Sequence, residues 1–196
     1  MTSLEDLKRA IREVPNFPKP GIDFKDITPI LLDAGLFQRA VDLMAAPYAE
    51  ARISRVVSIE SRGFIFGAPI ALRLGAGLVP IRKPGKLPAA TQRVEYTLEY
   101  GTDALEMHHD AVGQDDRVLV VDDVLATGGT AAAAAQLVGG GRGRRRGLQF
   151  PDRARVSEGP AAAPGTAGRG LAALHVTHLH FGAYAPVAQV DRAAVS

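Results

Sequence analysis

The chain has 196 residues, enough for one domain with a sizeable core. It contains no cysteine, which excludes disulfides and thiolate metal sites, and no apolar run approaches about 18 residues, so neither a membrane span nor a signal peptide is expected and the cytoplasm is the simplest compartment. The formal net charge of +2 hides a split: residues 1–138 carry 15 Lys and Arg against 18 Asp and Glu, while residues 139–196 carry 8 against 3, so the basic balance belongs to the tail and is not a nucleic-acid footprint of the folded body.

Near the N-terminus, S-L-E-D is a weak capping box, and Leu4, Leu7, Ile11 and Val14 recur at helical spacing up to Pro15, which predicts an amphipathic first helix. Pro18, Pro20 and Gly21 then impose a fixed irregular path on the loop of residues 15–32. Within it Phe24 offers a ring that could stack on a flat heterocycle, with the backbone of Ile22, Asp23 and Phe24 reading its edge; composition alone would make Phe24 a core anchor. A helical segment over residues 36–50 leads to I-S-R-V-V-S-I-E, residues 53–60, a central strand. Ser61, Arg62 and Gly63 follow as a tight turn into a helix, where unpaired amides and the helix dipole attract an anion and Arg62 can add its charge.

A short strand at residues 78–81 runs into R-K-P-G-K-L-P, whose Arg82, Lys83 and Lys86, joined by Arg93, predict a basic lid over a polyphosphate rather than a merely solvated face. Residues 94–100 alternate strictly, with Val94, Tyr96, Leu98 and Tyr100 on one face and Glu95, Thr97 and Glu99 on the other; after Gly101, A-L-E-M-H offers a partner strand. Glu99 falls at the end of that excursion, where a carboxylate could exchange a proton with a ring nitrogen, although the alternation by itself reads it as an exposed strand glutamate.

The stretch at residues 118–130, V-L-V-V-D-D-V-L-A-T-G-G-T, organises the rest. Four apolar residues bounded by charge read as a strand buried on both faces of a parallel sheet. Ala126, Thr127, Gly128, Gly129 and Thr130 then form a small, hydroxyl-bearing, glycine-rich entry to an alanine-rich helix, a phosphate cradle. Asp122 and Asp123 cannot bind that phosphate, so they serve hydroxyls of the same ligand or a divalent cation. A sugar phosphate satisfies both demands, and the absence of the G-x-x-x-x-G-K-[ST] lysine argues against an ordinary ATPase.

This string resembles the phosphoribosyl pyrophosphate (PRPP) motif of type I phosphoribosyltransferases. Together with P-K-P-G-I-D-F-K-D-I-T-P-I-L, I-E-S-R-G-F-I-F-G-A-P-I-A, V-P-I-R-K-P-G-K-L-P and Y-T-L-E-Y-G-T-D-A-L-E-M-H, in order and with matching spacing, it makes residues 4–138 similar to bacterial adenine phosphoribosyltransferase. The resemblance implies an α/β fold with a mostly parallel central sheet flanked by helices, a small N-terminal hood, a mobile basic lid and a homodimer, with adenine and PRPP as substrates. It implies magnesium (Mg2+) held mainly through PRPP, with no direct protein ligand. By the same resemblance Ala126, Thr127, Gly128, Gly129 and Thr130 hold the 5-phosphate, Asp122 and Asp123 the ribose hydroxyls, and Ser61, Arg62, Arg82, Lys83 and Lys86 the pyrophosphate. Ile22, Asp23 and Phe24 hold adenine, and Glu99, Arg62 and Tyr100 are the catalytic group.

The resemblance ends at Val138. Glycines, arginines and prolines fill residues 139–169 where the family would turn and lay down another apolar strand, so 1–138 is expected to be an incomplete phosphoribosyltransferase domain and 139–196 a non-homologous, disordered tail that leaves a strand missing. Codons exist for residues 151–164 whose reading one nucleotide later gives L-I-E-L-E-F-L-K-G-R-Q-R-L, and residues 139–150 likewise permit E-A-G-A-D-V-V-G-A-C-S-F in that frame. Both shifted segments resemble the missing family sequence, which points to a frameshift.

Overall fold

The computed structural model describes residues 4–98, 101–123, 129–140 and 173–177. In chain order these form α1 (Leu4–Ala10), β1 (Arg12–Val14), β2 (Phe24–Asp26), α2 (Thr28–Leu32), α3 (Ala34–Ala45), a 3-10 turn (Ala46–Tyr48), β3 (Arg55–Ile59), α4 (Arg62–Leu74), β4 (Gly77–Ile81), β5 (Thr91–Leu98), β6 (Gly101–His108), β7 (Arg117–Val121), α5 (Gly129–Gly139) and β8 (Ala173–Thr177).

The central sheet has the order β4-β3-β7-β8, and its pairings are parallel. The continuous apolar runs of β3 and β7 are explained by what covers them. Val56, Leu119 and Val121 face a core with Phe66 and Ile70 of α4 and Val41 and Met44 of α3. Val57, Ile59, Val118 and Val120 face the other way, onto Leu105 and Met107 of β6 and Ala133, Ala134 and Leu137 of α5. The second cover is therefore partly an antiparallel hairpin, β5–β6, whose inner edge includes the partly buried Val94 and Tyr96 while Glu95 points to solvent, as the alternation predicts.

Close approach of α4 to the sheet depends on glycine. A Cβ on Gly67 would lie 2.6 Å from Ser58 Cβ, and one on Gly63 would lie 3.1 Å from both the Val121 carbonyl oxygen and Asp122 Oδ1. The helix start is thereby pressed against the end of β7, which brings Arg62 to the acids that follow it.

Three expectations change. The irregular path expected over residues 15–32 gives way to regular structure, a strand at Phe24–Asp26 and a helix at Thr28–Leu32. The helical spacing at the N-terminus stops early, because Arg12–Val14 pairs antiparallel with Phe24–Asp26 and becomes the first strand of a two-stranded hood. The tail, expected to leave the sheet short, contributes β8, paired with β7 from Arg117↔Ala173 to Val121↔Thr177. A short A-L-H-V-T segment carries enough β-forming character to satisfy the backbone of β7, whatever the glycine- and arginine-rich sequence before it does.

Candidate active site

Three neighbouring parallel strands end at the same level. Ile59 stands opposite Ile81 and Ser58 opposite Val121, so Glu60 and Ser61, Arg82 and Lys83, and Asp122 and Asp123 all leave the sheet along one carboxyl edge. Open parallel sheets bind their ligands at that edge, where strand ends and helix starts converge.

At its centre lies Arg62, the first residue of α4. Its Nε is 2.9 Å from Asp123 Oδ2, and its guanidinium carbon sits 5.4 Å from the centroid of the Phe24 ring. Arg62 also helps to hold the Asp26 carboxyl below its ordinary pKa, although the larger causes there are the hydrogen bonds from the Thr28 hydroxyl and amide. One cation therefore joins the hood, through Phe24 and Asp26, to the carboxylates at the end of β7. Phe24 is itself braced edge-on by Phe17, with centroids 5.3 Å apart. The structure thus gives Phe24 a half-buried place over the site rather than in the core.

Asp122 and Asp123 are buried, and Asp122 Oδ1 accepts from the Asp123 amide at 3.0 Å. The Arg62 contact is close but poorly aligned, so neither Asp123 side-chain oxygen receives a hydrogen bond. A buried carboxylate with unused acceptors is costly, and ligand hydroxyls are groups that could use them.

The basic segment is tied on both sides. Arg82 Nε donates to Glu60 Oε2 at 2.7 Å, the Lys83 amide donates to Glu60 Oε1 at 3.0 Å, and Arg82 Nη1 donates to the Lys86 carbonyl at 3.0 Å. From the hairpin, Glu106 exchanges backbone hydrogen bonds with Arg82 and accepts from the Gly85 amide at 3.0 Å, while Lys83 Nζ lies 3.5 Å from Asp103 Oδ2. Lys86 is exposed beside them.

Among the expected site residues, Phe24, Arg62, Asp122 and Asp123 are brought together, with Ser61 at the cap of α4 and Arg82 and Lys83 on the adjacent strand end. Ile22 is half-buried and Asp23 exposed on the approach to β2. Gly129 and Thr130 form the first turn of α5, which follows β7 as the strand, loop, helix pattern predicts. Glu99, Tyr100, Ala126, Thr127 and Gly128 lie outside the described residues. The sequence reading missed Glu60, Asp103 and Glu106; only Glu60 carried a signal, through its place between a buried strand and the Ser61–Arg62 turn.

Comparison with known proteins places this architecture. The sequence profile of the phosphoribosyl transferase domain matches residues 31–145. Adenine phosphoribosyltransferase of Myxococcus xanthus is 59% identical over 128 residues, covering 65% of this chain and 70% of the relative. The crystal structure of adenine phosphoribosyltransferase from Thermoanaerobacter pseudethanolicus superposes with a TM-score of 0.67 at 56% identity, over 69% of this chain and 79% of that one. The Saccharomyces cerevisiae enzyme, solved with D-2,5-dideoxy-2,5-imino-altritol 1,6-bisphosphate and adenine, gives 0.66 at 45% identity over the same shares, 69% and 79%. The chain belongs to the phosphoribosyltransferase family, among its adenine phosphoribosyltransferases.

Proposed function

We propose that this chain transfers ribose 5-phosphate from PRPP to adenine, forming AMP and pyrophosphate, a purine-salvage reaction. The observation that carries the reading is Arg62 set between the Phe24 ring and the buried Asp123 carboxylate, in a chain 59% identical to an adenine phosphoribosyltransferase. That one cation can face the leaving group while its neighbours hold the base and the sugar.

In the reaction the bond from ribose C1 to the pyrophosphate oxygen breaks, the electron pair leaves with pyrophosphate, and N9 of adenine bonds to C1. Negative charge grows on the leaving group, so Arg62, Arg82, Lys83 and Lys86, with the Ser61 turn, stabilise it by preorganised charge. Asp122 and Asp123 take the ribose hydroxyls as donors, which would satisfy the acceptors that Asp123 leaves unused. Ala126, Thr127, Gly128, Gly129 and Thr130 hold the 5-phosphate at the start of α5. Ile22, Asp23 and Phe24 receive adenine, Glu99 accepts the proton that the base sheds, and Tyr100 closes the site over it. Magnesium fits as a cation carried by the PRPP phosphates, because the nearby acids are then left to the ribose; bound there, it would neutralise the diphosphate.

The test is AMP formation from adenine, PRPP and magnesium, run beside Glu99→Ala. Loss of about 10²- to 10⁴-fold in kcat is expected of a proton-transfer residue. An unaffected variant would remove Glu99 from the mechanism, and a wild-type chain that binds PRPP without forming AMP would overturn the reading itself.

We also take the protein to be a homodimer, supported by exposed Leu32 and Leu72, at 78% and 85%, which a subunit contact could cover; a monomer in sedimentation at micromolar concentration would refute it. Among the described residues no helix is long and apolar enough to cross a membrane. The domain is taken as residues 1–138 followed by a sequence foreign to the family, produced by a shift of reading frame. The 128-residue match to the Myxococcus relative covers 65% of this chain, in keeping with a family segment shorter than the whole, while the family profile runs on to residue 145.

A further inference from the structure

The cations of the basic turn are not held alike. Arg82 makes two directional hydrogen bonds, at 2.7 Å to Glu60 and 3.0 Å to the Lys86 carbonyl. Lys83 is fixed at its backbone, where its amide donates to Glu60, but its ammonium ends a flexible four-carbon stem and, among the described residues, makes a charge contact 3.5 Å from Asp103 Oδ2. Both side chains keep some exposure, 28% for Lys83 and 22% for Asp103, so the contact can exchange with a dissolved anion.

Asp103 is held independently of that lysine. Its Oδ1 accepts from the Ala104 amide at 2.8 Å, and its Oδ2 accepts from the Tyr96 hydroxyl at 3.3 Å, across the hairpin from the paired position. If Lys83 leaves, two donors remain and the carboxylate stays in place without a large penalty. It therefore has the makings of a resting counter-ion rather than a strut.

We propose that Asp103 is a specificity-determining residue: it pairs with Lys83 and yields it only to a ligand of higher negative charge, so that it sets the affinity for the pyrophosphate group. The proposal rests on Lys83 facing the pyrophosphate, as in the function proposed above. A monoanion gains little by displacing an equal charge that is already anchored, whereas pyrophosphate brings several oxygens and more than one charge. The resting pair also weakens pyrophosphate binding, which favours its departure as a product.

The experiment is calorimetric titration of the full-length chain with pyrophosphate and magnesium, and separately with inorganic phosphate, for Asp103→Asn, Lys83→Ala and the double variant. Asp103→Asn is expected to tighten pyrophosphate binding about two- to fivefold, the range of a partly exposed ion pair, with the gain shrinking as salt rises, and to tighten inorganic phosphate at least as much; phosphate binding that does not change overturns the role in specificity. Lys83→Ala is expected to weaken it, and adding Asp103→Asn to Lys83→Ala should then change nothing. Unchanged or weaker binding in Asp103→Asn alone, with Lys83→Ala still weakening it, overturns the role of Asp103 and leaves Lys83 as a ligand. Unchanged binding in Lys83→Ala overturns the placement of Lys83 itself. Asp103→Ser, which keeps a short acceptor for the Ala104 amide, is read by the same outcomes where the asparagine variant does not fold.

Discussion

At the scale of single residues the site turns on Arg62, whose two neighbours make different demands. Asp123 is buried with unsatisfied oxygens and relies on the Arg62 charge, so Arg62→Ala removes both the cation proposed for the leaving group and the compensation for a buried carboxylate. We expect that variant to lose about 10²- to 10³-fold in kcat/KM and about 1–3 kcal/mol of stability. Adding Asp123→Asn should return most of the stability and none of the activity. Thermal melts and AMP assays on the four proteins of that cycle check it, and a double variant no more stable than Arg62→Ala would show that the pair is not what holds the carboxylate. Arg62→Lys should recover only part of the rate, since an ammonium cannot lay a planar group on Phe24. Asp122, Asp123 and Arg62 were legible in the sequence because acids at a strand end and an arginine at a tight turn break the local pattern. Asp103 and Glu106 were not, because an acid within a strand otherwise reads as a solvated side chain; only folding of the hairpin sets them against the basic turn.

At the scale of elements the alignment of strand ends matters most, and it is set partly at the opposite edge of the sheet. Asp116, just before β7, accepts from the Ser54 hydroxyl and the Gly113 amide, each at 2.7 Å, and lies 3.6 Å from Arg55 Nε. Those contacts tie the start of β7 to the start of β3. Burial pushes the Asp116 pKa up, but the Gly113 and Ser54 hydrogen bonds and Arg55 outweigh it, and the net direction is down from 3.8. A depressed folded-state pKa means stability that is present above the unfolded value and lost as pH falls through the folded one. Asp116→Asn should therefore cost about 1–2 kcal/mol at pH 7, and the gap to the unsubstituted chain should close below about pH 4. Urea melts at both pH values measure it; a gap that persists in acid would assign the effect to packing rather than to charge. The central strands were readable as apolar runs, and the β5–β6 hairpin as an alternation broken by Gly101. The N-terminal helix was overextended because Leu4, Leu7, Ile11 and Val14 keep helical spacing, while the pairing of Arg12–Val14 with Phe24–Asp26 is a contact across a proline-rich loop that no local pattern records.

For the whole molecule, the question is what completes the sheet beside β7. An unpaired β7 would expose a row of backbone donors and acceptors next to a fully buried core strand, a deficit comparable with the net stability of a domain, about 5–15 kcal/mol. Here β8 fills that place with five residues drawn from a tail that otherwise reads as glycine, arginine and proline. The shifted frame would fill it with D-V-V-G-A-C-S-F, reached from α5 by a short turn instead of by more than thirty residues, and shorter closure costs less entropy. A chain in which everything after Val138 is replaced by E-A-G-A-D-V-V-G-A-C-S-F-L-I-E-L-E-F-L-K-G-R-Q-R-L should melt at least about 5 °C higher than the present one, since each kcal/mol is worth several degrees in a domain of this size. It should also form AMP at least as fast, because the carboxyl edge of β7 carries Asp122 and Asp123. Calorimetric melts and AMP assays on both chains, together with the sequence of the coding DNA, decide the matter. Stop codons in the shifted frame before the strand, or a replaced chain that melts lower, would mean that β8 is the native partner of β7 and that the tail belongs to the fold.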